Sequence, residues 1–279
     1  MRTKPNIALI GVAIAGSAAA FLIAKGQGKR AGDGKDDADA DATYPPLETP
    51  KPVADDVWIV DSGPIRPGGI TLPIRMTVLR LGNGDLLLHS PTQATAELVD
   101  ALAAIGPVRH LVAPNIAHWT FLKEWQDRYP AAVTWAVPGL RDRAQVRASG
   151  LRLDRDLPEA APPEWATEID QGFIRGAGYR EAYFFHRPSR TLVLTDVVQH
   201  MHGSRLPVLT RAFVRLSGTD AGTTPRYLRA LLRLRHADAR RAFRAMLALE
   251  PERVVFAHGA WFDRDGGSRL RQALAWLTD

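Results

Sequence analysis

Residues 111–118 read LVAPNIAH, and this stretch decides the fold of the chain. Its apolar first half predicts a short buried strand, because fully buried strands are continuous, mostly branched apolar runs. Asn115 and His118 follow directly after that strand. A polar side chain in this place lies at the rim of a sheet, which is where α/β proteins usually build their functional sites.

The same pattern recurs twice further along the chain. Residues 191–196 read TLVLTD and end in Asp196, and residues 253–259 read RVVFAHG and carry His258. Imidazole nitrogens and carboxylate oxygens are among the protein groups that bind Zn²⁺ and Fe²⁺. If the three strand ends meet, they bring two histidines and an aspartate together, so His118, Asp196 and His258 are the candidate metal ligands.

Strand and helix patterns alternate over the rest of the domain. An Asn-Gly pair at 83–84 lies between two apolar runs and predicts a hairpin. A second hairpin is predicted between residues 182–186 and 191–196, and Ser90 is predicted to cap the first helix. Strands followed by helices, and then strands and helices again, indicate a layered α+β fold. A doubly wound parallel fold is the alternative, which the hairpins disfavour.

Composition excludes several classes of protein. The 279 residues suffice for one large domain or two small ones, and a hydrophobic fraction of 46% provides for a sizeable core. Cysteine is absent from the sequence, which excludes a disulfide framework, a zinc finger and a thiol nucleophile. The sequence also contains no glycine-rich phosphate loop of the dinucleotide or Walker type, so we expect no nucleotide cofactor.

The N-terminal residues predict a membrane anchor. Residues 7–24 form an uncharged run of eighteen residues with lysine or arginine on both sides, and a helix of this length spans about 27 Å, close to a bilayer core. We therefore expect a single-pass anchor over residues 1–30 and a membrane localisation. A cleaved signal peptide is the alternative, since SAAA (17–20) offers small residues for cleavage. The flanking charges nearly balance, which leaves the side of the membrane undetermined.

The segment after the anchor differs in composition from the rest of the chain. Residues 31–52 are rich in Asp, Ala, Gly and Pro and poor in large apolar side chains. Such a stretch buries too little surface to offset the entropy of the chain. We therefore expect a disordered linker over residues 31–52 and one folded domain over residues 53–279.

Arginine is concentrated in residues 205–244, which contain ten arginines against Asp220 and Asp238. The interpretation that we favour is a solvated helical surface. The alternative is a surface that faces an anionic membrane or an anionic substrate. No nucleic-acid-reading motif accompanies the charge, so we expect no nucleic-acid partner.

Longer stretches of the chain resemble the metallo-β-lactamase-fold superfamily, and more closely a related family of proteins of unknown function with a degenerate metal-binding motif. The stretches that carry the resemblance include DVWIVDSGPI (56–65), GPVRHLVAPNIAHWTFLKEW (106–125), RTLVLTDVV (190–198) and VVFAHG (254–259). The resemblance extends over residues 55–278. It implies an αββα sandwich, in which two mixed sheets lie between helical layers.

The signature loop of that superfamily, His-x-His-x-Asp-His, is incomplete in this chain. If His118 is its last member, the places of the other two histidines and of the aspartate are taken by Ala113, Asn115 and Ala117. Another histidine of the superfamily lies in a glycine-rich turn, and the corresponding residues 176–181, GAGYRE, contain none. The resemblance therefore implies that one of the superfamily's two metal sites has lost most of its ligands.

The second metal site of the superfamily is nearly complete. By the same resemblance, Asp196 matches the aspartate that bridges the two metals, and His258 matches the last histidine. Together with His118 they lack only the loop aspartate, whose place Ala117 takes. Two imidazoles and a carboxylate suffice for one Zn²⁺ or Fe²⁺ ion with positions open for water, so we expect at most one metal ion.

Four further polar residues are candidates for the site. Glu181 is a candidate catalytic acid or base, or else the partner of an arginine. Asn115 is a poor metal ligand, and we expect it to bind substrate or to hold the loop. His200 and His202 follow Asp196 closely. We expect them to be exposed loop histidines, and the alternative is that they replace a lost ligand.

These observations lead to three interpretations of function. The first is a membrane-anchored, metallo-β-lactamase-like hydrolase that uses one metal ion on a small substrate. The second is a membrane-tethered binding or assembly module without catalytic activity, on a degenerate hydrolase scaffold. The third is a metal-dependent oxidoreductase, since related scaffolds carry iron.

Overall fold

The computed structural model describes residues 42–277 of the chain. The strands are β1 (Lys51–Ala54), β2 (Val57–Ile65), β3 (Leu72–Arg80), β4 (Leu86–His89), β5 (Val108–Ala113), β6 (Val133–Ala136), β7 (Arg155–Asp156), β8 (Ile169–Gly176), β9 (Tyr179–His186), β10 (Thr191–Val193) and β11 (Arg253–Val255). The helices are α1 (Ala96–Ala103), α2 (Leu122–Arg128), α3 (Ala144–Ala148), α4 (Val208–Ser217), α5 (Arg226–Arg233), α6 (His236–Ala248) and α7 (Gly266–Ala273).

The first sheet contains strands β1 to β7 in chain order. Strands β1 to β4 pair antiparallel, and β4 to β7 pair parallel. The hairpin predicted at residues 83–84 is confirmed, since it joins β3 and β4 with Thr77 opposite His89. The parallel half brings the carboxyl ends of β4 and β5 to one edge of the sheet, and the chain continues from there into Ser90 and the 114–118 loop.

The second sheet has the strand order β11-β10-β9-β8. Strands β8, β9 and β10 are antiparallel neighbours, and β10 and β11 are parallel. The second predicted hairpin is confirmed, with Leu192 opposite Phe185. Because β10 and β11 run in the same direction, their carboxyl ends meet at one edge, and Asp196 and His258 lie just beyond them.

Strand β9 shows how the layers pack. Ala182 and Phe184 lie in the core that also contains the first sheet and helices α1, α2 and α3. Tyr183 and Phe185, which alternate with them, lie in the core formed with helices α5, α6 and α7. Since alternate residues of a strand point to opposite faces, the second sheet is covered on both sides. The predicted αββα sandwich of two mixed sheets is confirmed, and the antiparallel pairs exclude the doubly wound alternative.

Ser90 is not the helix cap that the sequence predicts. Helix α1 begins later, at Ala96, and Thr95 caps it by accepting a hydrogen bond from the backbone N–H of Leu98. Ser90 instead lies at the end of β4 with a left-handed backbone, at φ 57°. The segment between Ser90 and Thr95 contains several cap-forming residues, and tertiary packing decides which of them begins the helix.

Residues 42–52 differ from the disordered linker predicted over 31–52. Lys51 belongs to β1, and its ammonium lies 2.5 Å from a carboxylate oxygen of Asp61. Ala42 is buried in a small apolar cluster against helix α4. Contacts with distant parts of the chain, which composition does not reveal, hold this stretch in place, so the folded domain includes it.

The predicted membrane anchor over residues 1–30 and the linker up to residue 41 lie outside the described residues. Between residues 42 and 277, no helix has the length and apolar character needed to cross a membrane.

Candidate metal centre

The three candidate ligands lie together between the two sheets. His118 follows β5 of the first sheet, whereas Asp196 and His258 follow the parallel strands β10 and β11 of the second. One ligand atom from each of the three residues lies within 4.8 Å of the other two. Within residues 42–277, this is the only group of three or more histidine or acidic side chains that could hold a metal ion.

Asp196 lies between the two imidazoles. One of its carboxylate oxygens is 3.2 Å from Nε2 of His118, and the other is 3.1 Å from Nε2 of His258. Burial raises the pKa of Asp196, but the two imidazoles outweigh burial and hold this pKa well below its usual range. Burial lowers the pKa of His118, and the Asp196 charge outweighs burial so that this pKa is raised. Asp196 is therefore an ionised carboxylate at neutral pH.

Neighbouring residues fix the orientation of both imidazoles. Nδ1 of His258 lies 2.8 Å from the carbonyl oxygen of Pro73 in β3. A carbonyl only accepts hydrogen bonds, so Nδ1 carries the proton and Nε2 is the nitrogen that faces Asp196. Nδ1 of His118 lies 2.6 Å from the hydroxyl oxygen of Ser90. Hydrogen bonds of this kind on the remote nitrogen are typical of metal-binding histidines.

The donor set fits a single metal ion. Because Nδ1 of His258 donates to Pro73, Nε2 is the ring nitrogen that lies 3.1 Å from an oxygen of Asp196. A carboxylate oxygen only accepts hydrogen bonds, so this contact is favourable when a proton or a cation lies between the two atoms. Two imidazole nitrogens and a carboxylate oxygen are ligands suited to Zn²⁺ or Fe²⁺. His118, Asp196 and His258 are therefore the residues that would hold such an ion.

Asn115 is not one of the metal ligands, but it forms hydrogen bonds with two of the residues that are. Its amide nitrogen donates to the Asp196 carboxylate at 2.8 Å and to the Thr195 hydroxyl at 3.0 Å. Its amide oxygen accepts the backbone N–H groups of Ala117 and His118, at 2.8 and 3.1 Å. The side chain is buried, and both ends of its amide are engaged. Asn115 thus shapes the loop that carries His118 and orients Asp196 at the same time.

Glu181 holds the turn that carries Asp196. The residue is 0% exposed. One carboxylate oxygen accepts the backbone N–H of Thr195 at 2.8 Å, and the other accepts those of Asp196 and Val197 at 2.8 and 3.2 Å. The second oxygen also accepts a hydrogen bond from the Tyr179 hydroxyl. Burial, together with the nearby charge of Asp196, raises the pKa of Glu181.

A buried ion pair supports the loop of His258 from the other side. Arg75 of β3 lies 2.6 Å from the carboxylate of Asp61 on β2, and both side chains are buried. The same guanidinium donates to the carbonyl oxygens of Phe256 and Gly259, at 3.0 and 2.7 Å. Because His258 lies between these two carbonyls in the chain, Arg75 fixes the backbone that presents the ligand.

His200 and His202 do not join the ligand group. Their rings pack against one another, with centroids 4.6 Å apart, and His200 also contacts Phe262. The backbone N–H of His200 donates to the carbonyl of His258 at 3.2 Å, so the segment runs beside the site without directing an imidazole into it. The structure therefore does not support the alternative in which either histidine replaces a lost ligand, and it agrees with an exposed loop histidine at His202 but not at the half-buried His200.

Several residues of the site were missed in the sequence. Ser90 follows β4 in the way that His118 follows β5, so the strand-end pattern that found the ligands also applied to it. Tyr179, Arg75 and Asp61 lie within strands, where a polar residue is usually solvent-facing. Their part in the site depends on pairing between distant segments, which no local pattern shows.

Comparison with solved structures places the fold among metallo-β-lactamases. A metallo-β-lactamase from Pontibacter korlensis matches with a TM-score of 0.55 and 11% identity, over 82% of this chain and 98% of its own. The metallo-β-lactamase FIM-1 from Pseudomonas aeruginosa, in its mono-zinc form, matches with a TM-score of 0.54 and 13% identity, over 82% and 94%. Identities this low show a common fold and nothing further.

A rubredoxin oxygen:oxidoreductase from Desulfovibrio gigas has the same fold. It matches with a TM-score of 0.59 and 10% identity. The match covers 82% of this chain and 62% of the Desulfovibrio gigas protein. The fold is therefore shared by proteins named for different activities.

Sequence comparison gives a narrower result. No curated protein matches the chain. A family model described as a domain of unknown function (DUF4336) matches residues 54–224, which include His118 and Asp196 and end before His258. The match covers more than half of the chain, and the chain belongs to this family, a family with the metallo-β-lactamase fold.

Proposed function

We propose that the chain is a membrane-tethered hydrolase that uses one metal ion on a small substrate. The observation that carries the proposal is the convergence of His118, Asp196 and His258, whose ligand atoms lie within 4.8 Å of one another. The hydrogen bonds that the remote imidazole nitrogens form with the Ser90 hydroxyl and the Pro73 carbonyl support it, because they direct both Nε2 atoms at Asp196.

One metal ion fits the chain better than two. Ala113 and Ala117 have no donor atom, and the amide of Asn115 is engaged at both ends. Glu181, which lies beside this region, is occupied by three backbone N–H groups. The residues that take the places of the other metal site therefore either lack a ligand atom or have their polar atoms engaged within the chain.

The residues of the site have distinct parts in the proposed reaction. A divalent ion held here would act as a Lewis acid on a substrate oxygen and would lower the pKa of a water molecule. Asp196 is ionised and bound on both sides, so it serves as a ligand and not as a base. Asn115 and Glu181 position Asp196 through its side chain and its backbone. We assign Asn115 and Glu181 the role of positioning residues, because their polar atoms already form hydrogen bonds within the chain.

The membrane tether is the second part of the proposal. The uncharged run over residues 7–24 with basic residues on both sides supports it. Residues 25–41 would then connect the membrane to the domain. A tethered enzyme of this kind would act on substrates near one membrane surface.

An iron-dependent oxidoreductase is the second candidate function. Two histidines and one carboxylate are the ligand set of many non-haem Fe²⁺ enzymes, and the Desulfovibrio gigas protein of the same fold is named as an oxidoreductase. This alternative and the hydrolase share the same three ligands and differ in the metal that the site selects.

The decisive experiment is metal analysis of the full chain purified in detergent. The protein is stripped with a chelator, offered Zn²⁺ or Fe²⁺ under anaerobic conditions, and separated from free metal. We expect about one equivalent in the wild type and a loss of most of it in His258→Ala. His236→Ala, which removes an exposed histidine on α6, is the matched control and should bind as the wild type does.

Activity measurements then separate the functions. The loaded protein is offered panels of esters, thioesters, phosphodiesters and lactams, and its iron form is tested for reduction of O₂ and peroxide. Hydrolysis that His258→Ala abolishes supports the hydrolase, and metal-dependent redox turnover supports the oxidoreductase. Failure of the wild type to bind either metal would refute both and leave the non-catalytic tethered module.

A further inference from the structure

Helix α4 presents its more apolar side to the exterior. The buried residues of the helix are Thr210, Val214 and Ser217. The exposed ones include Val208, Leu209 and Leu216, at 79, 63 and 74%. A surface helix normally shows the opposite arrangement, with its apolar side against the core and its polar side in water. This inversion indicates that the outer side of α4 contacts something apolar.

The exposed residues form one continuous surface. At about 100° per residue, positions 208, 209 and 216 fall within one third of the helix circumference. Ala212 and Arg215 fall on the same side and are also exposed. The outer surface of α4 is therefore an apolar stripe with an arginine at its edge.

Positive charge flanks the stripe. Arg205 precedes the helix and Arg215 lies in its last turn, and both are exposed. Neither forms an ion pair with a carboxylate of residues 42–277, and the Arg205 guanidinium instead lies 5.1 Å from the centroid of the Tyr44 ring. An apolar stripe flanked by arginines that no carboxylate of the described residues pairs with is the composition of helices that lie in an anionic membrane surface.

The place where the tether reaches the domain adds an independent observation. Ala42, the first described residue, packs in a cluster with Val214 on the inner side of α4. Residues 25–41 separate it from the uncharged run over 7–24. Seventeen residues reach at most about 58 Å even when fully extended. A membrane that holds residues 7–24 would therefore keep α4 within reach of its surface.

We propose that the α4 face, defined as Val208, Leu209 and Leu216 with Arg205 and Arg215, docks the domain on an anionic lipid surface beside the tether. The inference rests on the proposed membrane location and is independent of the proposed hydrolase chemistry. Its contacts need only be weak, because tethering raises the effective concentration of the surface. Docking would fix the orientation of the domain on the membrane.

Because the sequence contains no cysteine, a single introduced cysteine can be labelled specifically. Single cysteines are introduced by Leu209→Cys on the α4 face and, as a matched control, by Asp127→Cys, an exposed position on α2 beneath the first sheet. Each full chain is labelled with an environment-sensitive fluorophore and placed in vesicles of phosphatidylcholine, or of an equal mixture of phosphatidylcholine and phosphatidylserine. Nitroxide groups on the acyl chains act as quenchers.

We expect strong quenching at Leu209→Cys in the mixed vesicles, weaker quenching in phosphatidylcholine alone, and little at Asp127→Cys in either. Addition of Arg215→Gln to the Leu209→Cys chain should lower the ratio of docked to undocked protein about fivefold, since one arginine is lost near an anionic surface. Arg128→Gln, which removes an exposed arginine on α2, should leave that ratio unchanged.

Three outcomes would overturn the inference. Equal quenching at the two cysteines means that the α4 face is not the docking surface. Quenching at Leu209→Cys that is the same in both vesicles means that anionic lipid is not what it recognises. A blue-shifted but unquenched fluorophore means that residues 7–24 or a second copy of the chain cover the face. Co-sedimentation of the wild-type chain with vesicles tests the tether separately. If the wild-type chain does not co-sediment, quenching at Leu209→Cys measured at high lipid concentration still shows whether the α4 face docks on the membrane.

Discussion

Glu181 accepts the backbone N–H of Asp196 at 2.8 Å, and this contact joins a buried strand of the second sheet to the central residue of the metal centre. The carboxylate also accepts the N–H groups on either side, from Thr195 and Val197. Three consecutive backbone donors directed at one buried carboxylate fix the turn in a single conformation. The Asp196 side chain is thereby presented to both imidazoles.

Replacement of Glu181 tests this relationship. Glu181→Gln keeps the shape of the side chain but turns one acceptor into a donor, which leaves at least one buried N–H without an acceptor. We expect the free energy of unfolding to fall by about 1–3 kcal/mol. We also expect weaker Zn²⁺ binding, because the turn that presents Asp196 loosens. Denaturant unfolding and metal titration measure the two effects.

Glu164→Gln is the matched control for that substitution. Glu164 pairs with Arg155 at the surface of the domain, where an ion pair contributes about 0–1 kcal/mol. The control should change stability little and metal binding not at all. If Glu181→Gln behaved in the same way, Glu181 would have no positioning role.

Two substitutions at Ser90 separate the effect of its hydroxyl on metal binding from the effect of its backbone conformation on stability. Both Ser90→Ala and Ser90→Gly remove the hydroxyl that contacts Nδ1 of His118, so both should weaken metal binding by about 10–100-fold. Only Ser90→Gly relieves the left-handed backbone at φ 57°, so it should be more stable than Ser90→Ala by about 1 kcal/mol. Equal metal affinity in the wild type and both variants would show that Ser90 does not orient the ligand.

Most of the fold follows from patterns within short stretches of sequence. The Asn83–Gly84 turn predicts its hairpin because a tight turn is a local property. The runs over 111–113 and 191–193 predict buried strands because both faces of those strands are covered. Strand β8 was not predicted, since polar residues alternate along it and its pairing with β9 forms only in the folded chain.

The site was predictable to a smaller extent. The strand-end rule placed His118, Asp196 and His258 together, because parallel strands end at a common edge. The same rule could not assign a part to Glu181, whose carboxylate turns toward backbone N–H groups of another segment. Nor could it exclude His200, because only the tertiary structure shows that this ring packs on His202. Hydrogen bonds between distant segments decide both cases.

Acid should destabilise the protein in part through His89. Burial and the neighbouring charge of His118 lower the pKa of His89 from 6.5 to about 3, so the folded protein holds this ring neutral. The unfolded chain protonates it below about pH 6.5. The unfolded state therefore binds one more proton between about pH 6.5 and 3, and stability falls by up to about 1.4 kcal/mol for each pH unit of acidification in that window.

His89→Asn removes this contribution, because an amide does not titrate. The variant should lose stability at neutral pH through poorer packing against Phe184, and its stability should then decline less steeply than that of the wild type from pH 6.5 to 5. Denaturant unfolding at each pH gives the two slopes, which should coincide above pH 7.5. Parallel slopes below pH 6.5 would show that His89 is not the group that takes up the proton.

The Arg75–Asp61 pair supplies the last prediction. Arg75→Met leaves the buried Asp61 with Lys51 as its one ionic partner among residues 42–277, and it removes both hydrogen bonds to the loop of His258. Loss of one member of a buried ion pair costs about 3–5 kcal/mol, so unfolding should shift strongly to lower denaturant. Adding Asp61→Leu removes the charge left behind and should restore part of the stability. Metal affinity should stay reduced in the double variant, because the carbonyl oxygens of Phe256 and Gly259 still lack their donor. A double variant that binds Zn²⁺ as tightly as the wild type would show that Arg75 stabilises the fold without positioning His258.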